Sequence, residues 1–154
     1  MIRLYHFPLS PFCRKVRLTL AEKKLEVELI EERYWEPSPD FLRRNPAGKV
    51  PVLRVDQKVM SESQAICEYL EDAHPTAVKL RPDDFVDRAD MRVWTKWVDE
   101  YFCWCVSTIG WHRHVSTMVK DLSDAEFEEV VARIPVFEQQ VKWRRAREGF
   151  PQDL

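Results

Sequence analysis

From residue 2 to residue 73 the apolar pattern keeps switching between strand and helix period, and this alternation restricts the possible folds more than any other feature. Ile2, Leu4 and His6 alternate with Arg3 and Tyr5, a short strand over 2–6. Ser10-Pro11 then supplies a helix N-cap with proline at the first helical position. Behind it Cys13, Val16 and Leu20 recur at helical spacing, predicting a helix up to Lys24. Leu25, Val27 and Leu29 alternate with Glu26 and Glu28, a half-buried strand over 25–30. Ser38-Pro39 opens a short helix to Arg44, which Asn45-Pro46-Ala47-Gly48 ends. Residues 50–55 and 57–60 read as a hairpin around Asp56. Ser61-Glu62-Ser63-Gln64 reads as a capping box, with Ala65, Ile66, Tyr69, Leu70 and Ala73 on one helical face behind it. With 3 Gly against 10 Pro, proline must make nearly every break.

The order β-α-β-α-β-β-α, two parallel strands joined by a helix and then a hairpin, predicts a thioredoxin-like α/β domain over 1–75. Residues 76–84 carry Pro82 and little periodicity, and read as a linker. A helix follows over 85–109 with two apolar rows, Ala89-Val93-Trp97-Tyr101-Cys105 and Trp94-Val98-Phe102-Ile109. So wide a stripe predicts burial on more than one side, and a tryptophan row at this spacing reads first as core. Ser123 to Glu126 is a second capping box, and Phe127, Val130, Ile134, Phe137 and Val141 extend the pattern beyond it. Pro135 should kink or split that helix. Residues 85–154 therefore form a helical domain with few helices.

Charge narrows the function classes. Lys+Arg 24 against Asp+Glu 26 leaves a net charge of −2 and no long basic stripe, which disfavours nucleic acid as a partner. No apolar run approaches the ~18 residues that span a bilayer, and the start lacks a signal-peptide layout, so a cytoplasmic protein is expected. Cys13, Cys67, Cys103 and Cys105 lie in apolar or helical surroundings and read as reduced thiols. Cys103 and Cys105 fall on different helix faces, so no metal site is expected there. His112 and His114 have no evident partner and are expected in solvent. Lys142, Arg144, Arg145 and Arg147 complement a helix C-terminus before Gly149.

Three short segments could carry chemistry. Ser10-Pro11-Phe12-Cys13 sits where strand turns into helix, beside unpaired N–H groups and the positive end of the helix dipole. Either Cys13 is a redox or covalent nucleophile there, or Ser10 donates its O–H to the thiolate of a bound thiol, or Ser10 only caps and Cys13 is core. With Ser10 where a dithiol enzyme needs cysteine, disulfide exchange is disfavoured. Val50-Pro51 opens a strand with a residue that lacks an N–H, either as an edge proline or as a cis bond that frees the Val50 backbone for an extended peptide ligand. Glu62-Ser63 at a helix start offers a carboxylate for an ammonium and an N-terminal site for a carboxylate, the two ends of an amino acid.

Taken in this order, Ser10-Pro11-Phe12-Cys13-Arg14, the run from Asn45 to Leu53 (NPAGKVPVL) and Ser61-Glu62-Ser63-Gln64-Ala65-Ile66 resemble the glutathione S-transferase family. The resemblance covers 1–75 and implies a thioredoxin-like glutathione site followed by a helical domain. It implies Ser10 as the catalytic hydroxyl that activates the glutathione sulfur. Val50, before a cis Pro51, would pair its backbone with the cysteinyl part. Glu62 and Ser63 would hold the γ-glutamyl end, and Lys49 would lie near the glycyl carboxylate or backbone. The segments YHFPLSPFCRKVR and PDFLRRNPAGKVPVLR look like the glutathione-transferase-like cell-division proteins of alphaproteobacteria, which act by binding a filament. MRVWTKWVDEYFCWCVSTIGW and FEQQVKWRRAREGFPQDL are similar to bacterial glutathione-dependent β-etherases, which cleave aryl ethers. The resemblance thus implies glutathione as co-substrate, a small apolar electrophile, a homodimer, and a cell-division partner as the alternative. It also leads to the expectation that the helical domain ending at Leu154 is incomplete.

Overall fold

The computed structural model describes residues 1–149. It realises the predicted order: β1 (Ile2–His6), α1 (Pro11–Glu22), β2 (Glu28–Glu31), α2 (Pro39–Arg44), β3 (Val52–Val55), β4 (Lys58–Ser61) and α3 (Ser63–Ala73). The sheet runs β2-β1-β3-β4, with β1 parallel to β2 and antiparallel to β3, and β3 antiparallel to β4. Because strand side chains alternate, the register splits the core between two faces. Leu4 and Leu53 join Val16, Leu20, Ile66 and Leu70 from α1 and α3. Tyr5 and Val52 meet Phe41 of α2 on the other face. β2 starts later than its periodicity predicts: Leu25 and Val27 pack against the core from the loop, and pairing with β1 begins at Glu28.

Next come α4 (Phe85–Trp97), a π-helical turn (Val98–Phe102) and α5 (Cys103–Val119), one continuous helical rod, then α6 (Asp124–Ala132) and α7 (Phe137–Glu148). The Ser123 capping box forms as predicted, with Glu126 Oε2 accepting the Ser123 N–H at 2.8 Å. Pro135 separates α6 from α7. The last part of the expected helical domain, residues 150–154, lies outside the described residues. Among the described residues no helix is long and apolar enough to cross a membrane.

The expected burial of the tryptophan helix is corrected. Neither α4 nor the π turn contains a buried residue, and Trp94, Trp97, Tyr101, Phe102 and Trp104 are all exposed. The rod faces the first domain with Met91, Thr95, Asp99 and Cys103, spaced four apart and half-buried. Polar contacts hold that face, Lys15 to Asp99 at 2.6 Å and Arg92 to Glu68 at 3.2 Å, so apolar periodicity pointed to the wrong side. The second region instead docks through an aromatic core. Phe7 and Tyr34 pack with Val115, Val119, Phe127, Val131, Ile134 and Trp143, and the Trp143 indole N–H donates to Tyr34 Oη at 3.0 Å. Gly48 is required at this seam: its φ is +64°, and a Cβ there would lie 2.8 Å from Pro135 Cγ.

Lys23 and Glu71 form a buried ion pair at 2.7 Å, and Glu71 also accepts the Leu80 N–H, fastening α1, α3 and the 76–84 segment together. Burial works to raise the Glu71 carboxyl, but hydrogen bonds from Lys23 and Leu80 outweigh it and hold the group below its ordinary value. Its contribution is then complete above the unfolded value of about 4.3 and is lost as pH falls through the folded one. Glu71→Gln, which strands the Lys23 charge, is expected to cost about 3 kcal/mol in denaturant unfolding at pH 7. The deficit should shrink as pH falls below about 5. A pH-independent deficit would contradict this.

Candidate functional site

The antiparallel register aligns Tyr5 with Val52 and Val52 with Ser61. The end of β1, the start of β3 and the end of β4 therefore lie side by side, and the chain leaves this row at one edge in three loops. These are 7–10 into α1, 48–51 into β3, and Glu62 into α3. Ser10, the stretch Lys49-Val50-Pro51, and Glu62-Ser63 are thus gathered at one end of the sheet although 53 positions separate the first from the last.

Ser10 is the N-cap of α1, in extended conformation, and its Oγ accepts the Cys13 N–H at 3.2 Å. Capping uses a lone pair, so the hydroxyl hydrogen remains available to an acceptor at the helix end. Cys13 lies behind it with no exposed surface. The Phe7 N–H donates to its Sγ at 3.5 Å. Burial pushes its thiol up, against smaller opposing effects from Ser10, Phe7 and Arg17. A packed thiol whose titration is raised by burial has the character of a core residue.

The Val50-Pro51 bond is cis. Pairing with β1 and β4 begins at Val52, so Val50 precedes the ladder, its side chain anchored between two core clusters. Asn45 Nδ2 donates to the Lys49 carbonyl at 2.7 Å and fixes the preceding turn, from which Lys49 extends into solvent.

At α3 the predicted capping box is not made. Ser61 ends β4, and Glu62, at φ +69°, turns the chain and serves as N-cap with no side-chain bond. Gln64 reaches forward to Glu68 at 3.2 Å instead. Once the strand claims Ser61, its hydroxyl cannot cap, and the first N–H groups of α3 keep no side-chain acceptor. Ser63 is buried at that N-terminus and Glu62 stands exposed beside it. The edge therefore offers a helix-end hydroxyl, a backbone segment outside the ladder, and an anion-binding helix start next to a carboxylate. This set suits a ligand with an extended peptide backbone and an amino-acid end.

Two features escape sequence reasoning. His112 and His114 are half-buried, not in solvent. The His114 ring lies 6.0 Å from Phe7 and 5.8 Å from Trp111, in the aromatic core behind the Ser10 turn, and burial lowers its pKa. Trp111 and Val115 on either side carried the signal, since the helix that bears them continues to Val119. The second feature is a groove beside Ser10, lined by Leu9, Arg14, Arg17 and Phe102 among others.

Comparison with known proteins places these observations. Residues 4–78 match the glutathione S-transferase N-terminal domain family. The chain is 50% identical, over 99% of its length, to protein LigF of Sphingobium sp. strain SYK-6, of which it covers 62%. It superposes on the crystal structure of that β-etherase with a TM-score of 0.88, covering 65% of the solved chain. FtsZ-localized protein A of Caulobacter vibrioides is 41% identical over 64% of this chain and 45% of its own. The solved FzlA of C. crescentus superposes with a TM-score of 0.70 at 26% identity, covering 96% of this chain and 76% of that one. A rice glutathione S-transferase solved in complex with glutathione is 25% identical, with a TM-score of 0.60 over 97% of this chain and 86% of its own. The chain thus spans about three fifths of LigF, and its sequence alignment with FtsZ-localized protein A covers under half of that protein.

The state of the thiols is directly measurable. In the folded protein iodoacetamide is expected to label exposed Cys105 and spare Cys13 until denaturant is added. Labelling of both at equal rates would contradict a packed Cys13. Ser10→Ala should also cost about 1 kcal/mol of stability through the lost cap.

Proposed function

The chain carries a glutathione S-transferase N-terminal domain and the fold of that family, and from this premise we propose that it is a glutathione-dependent transferase acting on an electrophilic aromatic or aryl-ether carbon. The observation that carries the reading is the convergence of Ser10, Val50 and Glu62-Ser63 on one sheet edge, in the order an extended γ-glutamyl peptide needs. The likeness to a β-etherase over nearly the whole chain supports the aryl-ether acceptor. Residues 1–75 are taken as the glutathione-binding unit, 76–84 as linker, and 85–154 as the helical part that shapes the acceptor side.

Glutathione supplies the nucleophile: a sulfur–carbon bond forms while the carbon–oxygen bond to the aryl group breaks, and the aryl oxygen leaves with the electron pair. Ser10 donates its O–H to the sulfur and, with the α1 N-terminus, favours the thiolate over the thiol. Two units of pKa amount to about 2.7 kcal/mol, within reach of one charge-assisted hydrogen bond plus the dipole. Val50 offers its backbone to the cysteinyl residue. Ser63 and the α3 N–H groups take the γ-glutamyl carboxylate, Glu62 pairs with its ammonium, and Lys49 faces the glycyl carboxylate. A homodimer in a cytoplasmic setting belongs to the same reading.

A second reading has its own support: likeness to a cell-division protein together with the exposed aromatic face of α4 and α5 favours a glutathione-transferase fold that binds a filament and catalyses nothing. Retention on immobilised glutathione separates the two. Wild type is expected to be retained, and Glu62→Ala and Ser63→Ala to weaken retention about tenfold each. Ser10→Ala should keep retention while losing roughly 100-fold in turnover. Failure of wild type to be retained, with no thiolate absorbance on adding glutathione, would sink the transferase reading.

A further inference from the structure

The side of the helical rod turned away from the first domain combines exposed aromatic rings with open carboxylates. Trp94 and Trp97 stand at 66% and 45% exposure, and Tyr101 and Phe102 continue the surface across the π turn. The two indole rings lie with centroids 5.9 Å apart and planes at 76°, so they form adjoining walls and not a flat plate. The Phe102 ring follows, 6.0 Å from that of Trp97. Large aromatic side chains gathered in the open mark an interaction surface, and Trp and Tyr are prominent among the residues that anchor one.

Charge decides what such a surface accepts. The bases of α4 are engaged or turned inward. Arg92 holds Glu68, Lys96 holds Glu100, and half-buried Arg88 lies three positions before Met91, on the side that meets the first domain. Asp87 and Asp90 are exposed, and among the described residues neither forms an ion pair. Asp90 is one helical turn before Trp94, and Asp87 is two turns before it. Long helical side chains lean toward the helix N-terminus, which carries the Trp94 ring over the turn of Asp90. An aromatic face holds the negative part of the ring quadrupole, so indole and carboxylate attract the same kind of group. Arginine satisfies both, because its flat guanidinium stacks on a ring while its N–H fork reaches a carboxylate. A neutral or acidic partner would leave Asp87 and Asp90 unmatched, and an anionic lipid surface would repel them.

We propose that this face of α4 and the π turn docks a basic segment of a partner protein, one arginine of which seats on Trp94 and Trp97 with its guanidinium toward Asp90. The inference goes beyond the transferase reading and needs neither bound glutathione nor turnover.

The full chain is titrated, at low salt and without glutathione, into a fluorescently labelled peptide of alternating glycine and arginine, and into its counterpart with neutral citrulline in place of arginine; binding is read by anisotropy. The arginine peptide is expected to bind about tenfold more tightly. Trp94→Leu with Trp97→Leu keeps apolar surface but removes the π faces, and should erase that preference. Asp90→Asn should weaken arginine-peptide binding about threefold, while Glu129→Gln, which removes an exposed carboxylate from α6, should leave it unchanged. All four positions are exposed, and Asp90→Asn reads the charge with both indoles in place. Equal affinity of wild type for the two peptides overturns the proposal, as does an arginine preference that survives loss of both tryptophans. An equal loss in Glu129→Gln and Asp90→Asn would reduce the effect to surface charge and overturn it too. Light scattering and sedimentation with phosphatidylcholine vesicles test the other occupants. A stable dimer abolished by the leucine pair assigns the face to a second copy of the chain, and co-sedimentation lost in that pair assigns it to lipid; either result overturns the proposal. Retention on immobilised glutathione is scored separately, so failure of the transferase reading leaves the peptide preference standing or falling by itself.

Discussion

The antiparallel register of β1, β3 and β4 is the constraint on which the rest depends. Leu4 against Leu53 and Tyr5 against Val52 fix which side chains face α1 and α3 and which face α2. A slip of one residue would exchange those faces and expose the core. The same register sets Tyr5, Val52 and Ser61 in one row, so α1 and α3 begin at one edge of the sheet. Two helix N-termini with the 48–51 segment between them follow from core packing alone. The edge that gathers the candidate residues is a by-product of a hydrophobic alignment.

The helical region stiffens that edge from behind. Phe7, just before the Ser10 turn, is packed by Tyr34, Trp35, Trp111 and His114, and Trp143 closes the cluster through its bond to Tyr34. Gly48 lets the turn before Lys49 lie directly on Pro135. Loops that carry site residues are normally the mobile parts of a fold, and here two of the three are held by contacts across the seam. Meanwhile the aromatic side of α4 and α5 remains open, so the chain keeps one rigid edge and one apolar face.

Much of this was legible in the sequence because local chemistry decided it. Ser10-Pro11 dictates a helix start, Ser123 and Glu126 dictate another, and Pro135 forbids continuity; no distant residue could overrule them. The fold class followed from alternating period. Expectations failed where two local demands competed or where polar groups did the packing. Ser61 could cap α3 or complete β4, and strand pairing with Val52 won. Asp99 and Thr95 face the first domain through ion pairs and half-burial, which an apolar pattern cannot register. His114 is sheltered by Phe7, more than 100 positions away in the chain; Trp111 and Val115 beside it signal a buried helix face but not which residue covers it.

The central claim is that glutathione occupies the edge defined by the ends of β1 and β4 and the start of β3. Amide chemical-shift mapping of the isotope-labelled chain on titration with glutathione tests it most directly. The account predicts saturable shifts clustered at Ser10 to Cys13, Lys49 to Val52 and Glu62 to Gln64. Shifts confined to α6 and α7, or none at millimolar glutathione, would contradict it.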